Sequence, residues 1–160
     1  MRYKVVPEPR SVAFLREAAE TLPLVPGSVE DCCSRIRDET DVLSRDRARE
    51  YLTLLEALGL AEETSSGYRR LRDQPDDATL TERFRERVFG VEELLAALSA
   101  EGPIDVDGAF DALADEVPRW ERDRREDWES EWRERTERLL EWSVAFGLAE
   151  RDGDEYHPAS

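Results

Sequence analysis

Six arginines stand in two short runs, Arg45, Arg47 and Arg49 within SRDRAR and Arg69, Arg70 and Arg72 within YRRLR. A guanidinium is a planar fork of donors that keeps its charge at any physiological pH. It can hold a phosphate, a carboxylate or both acceptors of a guanine edge. Catalytic chemistry has fewer candidates. The one histidine, His157, lies in a terminal segment expected to fray. The chain has no glycine-rich phosphate loop, no nucleophile elbow and no histidine-carboxylate metal pattern. Cys32 and Cys33 are adjacent, without the spacing of a metal site or a distant partner for a bridge. Carboxylate pairs abound, as they must in a chain this acidic. The expectation is a binding protein, not an enzyme, with no metal and no cofactor.

The elements that must carry the arginines can be read from apolar spacing. Val12, Leu15, Ala18, Ala19 and Leu22 share a helical face that Pro23 and Pro26 close. Ser28 caps a second helix, roughly 28–39, through Val29, Cys32, Cys33 and Ile36. After a turn holding Asp41, Ser44 caps a third, in which Ala48, Tyr51, Leu52, Leu55 and Leu58 share one face and Gly59 is the stop. LAEET and YRRLR flank Ser65, Ser66 and Gly67 as a short hairpin.

This order then repeats. A shift of 88 positions puts Gly59, Leu60, Ala61, Glu62 and Tyr68 on Gly147, Leu148, Ala149, Glu150 and Tyr156. Earlier in the second copy the shift is 77, placing Val29, Cys33, Ile36 and Thr40 on Val106, Phe110, Leu113 and Val117. Eleven residues have therefore been gained near PRWERDRREDW, between the second and third helices of the second copy. Thr79 and Glu82 form the expected capping box of a helix running through Phe84, Val88, Leu95 and Leu98, with Gly90 as a potential break. Pro118 can begin a helix that runs unbroken to Phe146, roughly 43 Å long. Trp128, Trp132, Leu139, Trp142 and Phe146 form its stripe, with Trp120 near the edge.

Helix, helix, turn, helix and hairpin, joined by LEALGLAEETSSGYRR, resemble the winged-helix variety of the helix-turn-helix family. The resemblance implies a mainly α fold with small β-hairpin wings, in two tandem winged-helix domains, the second with a long third helix. The expected boundaries are 1–72 and 80–160, joined by a linker at 73–79. In this family the start of the third helix enters the major groove and the wing follows the backbone or minor groove. The resemblance thereby implies a DNA-binding role for Arg45, Arg47, Arg49, Arg69, Arg70 and Arg72, with Ser44 adding a phosphate contact from the helix start. The competing reading pairs Arg45 and Arg49 with Asp41, Asp46 or Glu50 on a solvated face.

Charge separates the copies. The chain carries 39 acidic and 23 basic residues, and Lys4 is its only lysine. Such a surface suits a cytoplasm loaded with salt, where dense carboxylates hold water. Residues 1–72 hold 12 basic and 13 acidic side chains, a net of −1, and residues 73–160 hold 11 and 26, a net of −15. The second wing, ERDGDEYH, would repel a phosphate backbone. No apolar run has the length of a membrane span, and MRYKVVPEPR lacks the apolar core of a signal peptide, so a soluble, cytoplasmic protein is expected.

The reading is thus a small regulator that binds duplex DNA through the first copy. The second copy dimerises or engages a protein, with Trp120, Trp128 and Trp132 at that interface. The alternative is a protein-binding scaffold without DNA readout. Such a piece would be similar to the acidic accessory subunits of chromosome-condensing complexes or to parts of membrane-remodelling assemblies.

Overall fold

The computed structural model describes residues 3–124 and 126–159. It divides after Val88 into two compact units. In the first, helix α1 (Val12–Glu20) starts at Ser11, whose hydroxyl accepts the Phe14 N–H, and buries Phe14, Leu15, Ala18 and Ala19. Helix α2 (Val29–Glu39) starts at Ser28 in the same way and buries Cys32, Cys33 and Ile36. Helix α3 (Arg45–Leu58) runs from Ser44 to Gly59, whose φ of +78° turns the chain out of the helix. Strands β1 (Ala61–Thr64) and β2 (Gly67–Arg70) follow as the expected hairpin, with Ala61 opposite Arg70 and Thr64 opposite Gly67.

One more helix completes this unit. Helix α4 (Asp77–Arg87) packs on α3, and its arginines reach α3's last carbonyls: Arg83 donates to the Leu58 oxygen at 2.9 Å and Arg87 to that of Ala57 at 3.1 Å. Cationic donors at a helix C-terminus satisfy orphan acceptors and oppose the negative end of the dipole. Its cap is Asp76, which accepts the Thr79 N–H at 2.8 Å, so the helix begins before the expected Thr79–Glu82 box. It also stops at Arg87 and does not run on to Leu98. Gly90, at a φ of +90°, separates it from the next helix. The sequence places a linker at 73–79, whereas the chain's compact units meet after Val88.

In the second unit, α5 (Val91–Glu101), α6 (Val106–Ala114) and α8 (Trp128–Ala145) take the places of α1, α2 and α3. Strands β3 (Ala149–Asp152) and β4 (Glu155–Pro158) form the second hairpin. The expected unbroken helix over 118–146 is instead two. Helix α7 (Arg119–Arg124) ends, Glu126 and Asp127 lie in a turn, and α8 begins. Arg125 falls outside the described residues. ERDRRED offers no apolar side chain to bury, so no packing holds a continuous helix across it. The break lets α7 pack against α8.

The repeat extends to single hydrogen bonds. Ser28 and Asp105, 77 apart, each cap a second helix. Leu60 donates to Leu55 at 2.9 Å, as Leu148 does to Ser143. Leu71 donates to Leu60 at 3.3 Å, as Ala159 does to Leu148 at 3.2 Å. Both wings gain a third, one-residue strand from the loop before the second helix, Gly27 beside Tyr68 and Ile104 beside Tyr156. Among the described residues no helix is long and apolar enough to cross a membrane.

Two glycines should separate conformational strain from crowding. Gly67 has a φ of +132°, and a Cβ there would lie 2.3 Å from the Gly27 oxygen. Gly153 has a φ of +64° with open space around it. Gly67→Ala is expected to cost roughly 2–5 kcal/mol, from the positive φ and the backbone clash together. Gly153→Ala should cost only about 1–2 kcal/mol, from φ alone. Denaturant unfolding followed by far-ultraviolet circular dichroism measures both, and equal losses would contradict this account.

Candidate nucleic-acid interface

The structure sorts the six arginines by their partners. Arg45, at the start of α3, forks onto the Glu30 carboxylate of α2, with Nε 2.9 Å from one oxygen and 3.1 Å from the other. A weaker contact joins it to Asp46 at 3.6 Å. Arg47 pairs with Glu8. Asp41 is occupied by Arg10, at 2.9 and 3.3 Å. Glu30 and Asp41 titrate below the usual carboxylate range, chiefly because those guanidiniums donate to them. Ser44 accepts the Arg47 N–H at 3.1 Å, which fixes its hydroxyl oxygen at the helix start.

The remaining arginines lie on or beside the wing. Arg49 donates to the Tyr68 hydroxyl at 3.4 Å, with its guanidinium 5.6 Å from that ring's centre. Arg69 donates to Glu62, its partner across the hairpin, at 2.6 Å. Arg70 donates to the Glu20 carbonyl at 3.1 Å. Among the described residues Arg72 makes no hydrogen bond or ion pair. Arg49, Arg70 and Arg72 therefore keep charge that no carboxylate answers directly.

Comparison of the two units gives the same division independently. Arg45 and Arg47 correspond, 88 positions on, to Arg133 and Arg135. Those two are also ion-paired, Arg133 with Asp107 at 3.3 Å and Arg135 with Glu131 at 2.7 Å. Asp107 is in turn the counterpart of Glu30, so one helix-to-helix ion pair occurs twice. Arg69, paired with Glu62, corresponds to His157, which faces Glu150 at 3.7 Å in the same register. Arg49, Arg70 and Arg72 correspond instead to Glu137, Pro158 and Ser160. The Arg45–Glu30 and Arg133–Asp107 pairs join the second and third helices in both copies. Arg47 and Arg135 are each paired, but with acids in different places, Glu8 before α1 and Glu131 within α8. What differs in sign is the charge on and beside the wing. The expected pairing of Arg45 and Arg49 with nearby acids holds in part. Arg45 does meet Asp46, but its main partner, Glu30, is fifteen residues away in sequence.

The second unit reverses the polarity. There the Tyr156 hydroxyl donates to Glu141 at 2.5 Å, and Arg151 donates to the same carboxylate at 2.6 Å. Burial first, then that acceptor, raises the Tyr156 pKa. The helix contributes the acid and the strand the base, the opposite of Arg49 facing a wing that carries Glu63. By compact unit, residues 1–88 hold 15 basic and 18 acidic side chains, a net of −3, and residues 89–160 hold 8 and 21, a net of −13.

The tryptophans divide as well. Trp132 is 2 % exposed in a cluster with Phe110 and Val117, and its ring meets Phe89 edge-on at 5.6 Å. Trp128 is half-buried against Phe110, with Arg122 4.9 Å above its ring. Trp120 is 55 % exposed. Trp132 stands at the position that Ser44 holds in the first copy. Sequence reasoning missed the exposed Leu43, 85 % accessible beside the start of α3. It also missed the arginines of α4.

The whole chain, residues 1–160, matches the model of a family described as the halobacterial double winged helix domain. No curated protein and no solved structure matches it.

The Arg45–Glu30 pair has a signature in acid. Glu30 is held below its ordinary value in the folded chain, so its contribution to stability is present above the unfolded carboxylate pKa. It is lost as pH falls through the lowered folded value. Arg45→Gln should therefore melt below the parent at neutral pH, with the gap closing in acid. Thermal scans at low salt across that range check this, and a gap independent of pH would count against it.

Proposed function

The chain belongs to the halobacterial double winged helix domain family, and from that premise we propose that its first unit binds duplex DNA, led by the wing. The carrying observation is that Arg49, Arg70 and Arg72 have no basic counterpart in the second copy, although the two share their fold. Arg45 and Arg47, which are paired within the fold, recur as paired arginines in the second copy. A set found in one copy alone, on one wing and the helix beside it, suits a phosphate backbone. Arg45, Arg47 and Ser44 then position the third helix and touch DNA only in a secondary way.

Salt makes the reading quantitative. Three unanswered arginines, Arg49, Arg70 and Arg72, give a slope of about −3 for log affinity against log salt, where all six would give about −5. A tenfold rise in salt then costs roughly three decades of affinity. Binding in a salt-loaded cytoplasm therefore also draws on base contacts and released water.

The second unit, at a net of −13, takes the other part of the role and holds a protein, most simply a second copy of the chain. Its exposed Trp120 supports that reading, being large, amphipathic and accessible. A specific observation also favours a scaffold without DNA readout: the α3 arginines are neutralised by Glu30 and Glu8, and Leu43 presents an apolar side chain beside them.

Fluorescence anisotropy of a labelled duplex, titrated with KCl from about 0.2 to 2 M, should return the slope of about −3. Arg70→Glu with Arg72→Glu should abolish binding, and Arg45→Gln should leave the slope unchanged. Absence of duplex binding at every salt concentration would sink the DNA reading in favour of the scaffold. Light scattering tests the second unit separately: a folded Trp120→Arg chain should be monomeric where the parent is dimeric, and an unchanged mass would remove Trp120 from the interface.

A further inference from the structure

Behind the wing, the end of β2 and the loop after α1 border an open cleft of about 450 Å³. Leu24 and Leu71 supply its apolar wall, with Arg16, Arg70, Arg72 and Glu20 around it. An adjoining cleft of about 390 Å³ shares Leu24, Arg70, Leu71 and Arg72 and adds Arg69 and Asp73 at its rim. Both volumes lie in the range of small-molecule sites. Leu24 is 40 % exposed, an apolar side chain left partly open beside two guanidiniums.

We infer that this cleft binds a small organic monoanion with an apolar body, of the carboxylate class, and that the ligand regulates the wing. The charge count sets the valence. Arg16 is already answered by Asp77, at 2.5 Å, and oriented by the Pro75 carbonyl at 2.9 Å. Arg69 at the smaller cleft is likewise answered, by Glu62 at 2.6 Å, so Arg70 and Arg72 remain, against Glu20 in the larger cleft and Asp73 in the smaller. Two positive charges against one or two rim carboxylates accept at most one further negative charge, so a phosphate dianion is disfavoured. Arg70 is held in place by its bond to the Glu20 carbonyl, which uses one terminal nitrogen and leaves the rest of its fork for a carboxylate.

The apolar body follows from the medium. At molar salt, chloride competes for any bare cation and the Debye length falls to about 3 Å. Hydrophobic burial is not screened in this way, so an anion outcompetes chloride only by covering Leu24 and Leu71. The regulatory consequence rests on the DNA reading, because the ligand would take Arg70 and Arg72, two of the three arginines assigned to phosphate. The cleft floor is also rigidly tied to the fold: Arg70 N–H donates to the Pro23 oxygen at 2.8 Å and Leu71 N–H to that of Leu60 at 3.3 Å.

Hexanoate serves as the probe, with hexanol and inorganic phosphate as controls. Saturation-transfer NMR on the full chain in about 2 M KCl should show hexanoate binding with a Kd on the order of 1 mM. Hexanol should bind at least about tenfold more weakly, having lost the charge-assisted bonds. Phosphate should not displace hexanoate. Arg70→Gln with Arg72→Gln should abolish binding, and Leu24→Ser should weaken it, in chains whose circular dichroism is unchanged. Equal binding to parent and double variant, equal binding of hexanol, or no binding at all overturns the site. In the anisotropy experiment hexanoate should weaken duplex binding. If hexanoate binds and the duplex never does, the ligand site stands and the DNA reading alone has failed; if both bind without competing, the regulatory link is overturned.

Discussion

Each wing is a hairpin of two four-residue strands, too short to hold its shape in water by itself. What fixes it is a pair of reciprocal backbone bonds to the loop before the second helix. Gly27 and Tyr68 exchange N–H and carbonyl at 2.8 Å in both directions, and Ile104 and Tyr156 do so at 3.0 and 2.7 Å. The paired tyrosine is buried in both units, and its hydroxyl meets a side chain of the third helix, Arg49 in the first and Glu141 in the second. Every side chain on the wing inherits its position from this exchange. The direction of Arg70 and the floor of the cleft behind it are therefore properties of the backbone, set before any ligand arrives.

Much of this was visible in the chain itself. The offset of 88, the cap at Ser44, the stop at Gly59 and a hairpin around Ser65, Ser66 and Gly67 are local signals, although the structure takes Gly67 into the strand and leaves a two-residue turn. They survive because each depends on only a few neighbouring residues. The break before Trp128 was harder to see, since the charged run around it is compatible with helix in isolation and fails only for want of something to pack against. The placement of α4 was invisible for a related reason: the bonds from Arg83 and Arg87 cross from one helix to the end of another. The partners of Arg45 and Arg47 lie in α2 and in the segment before α1, far away in sequence. Yet a signal for them existed. The same offset that reveals the repeat sets Arg45 on Arg133 and Arg47 on Arg135, and so marks them as common to both copies.

Duplication thus supplies an internal control. Two copies that must fold alike keep the groups that folding needs and diverge elsewhere, so subtracting one from the other leaves the groups free to serve a partner. By that subtraction the distinctive surface of the first unit is its wing, with Arg49 at the junction. In the second unit it is an acid on the helix facing a base on the strand, with Tyr156 between them. A reversal of sign around a retained tyrosine keeps the helix-to-wing joint intact while it inverts what the outer face attracts.

The eleven inserted residues have a geometric consequence as well. In the first unit α3 begins at Ser44, so its free N–H groups and the positive end of its dipole open at that point. In the second, the corresponding residue is Trp132, buried inside a helix already one turn old. The helix has been extended backwards past its former end, and the site where backbone donors would face outward is now occupied by an aromatic core. That change alters which atoms the chain presents there, and no adjustment of surface charge could undo it.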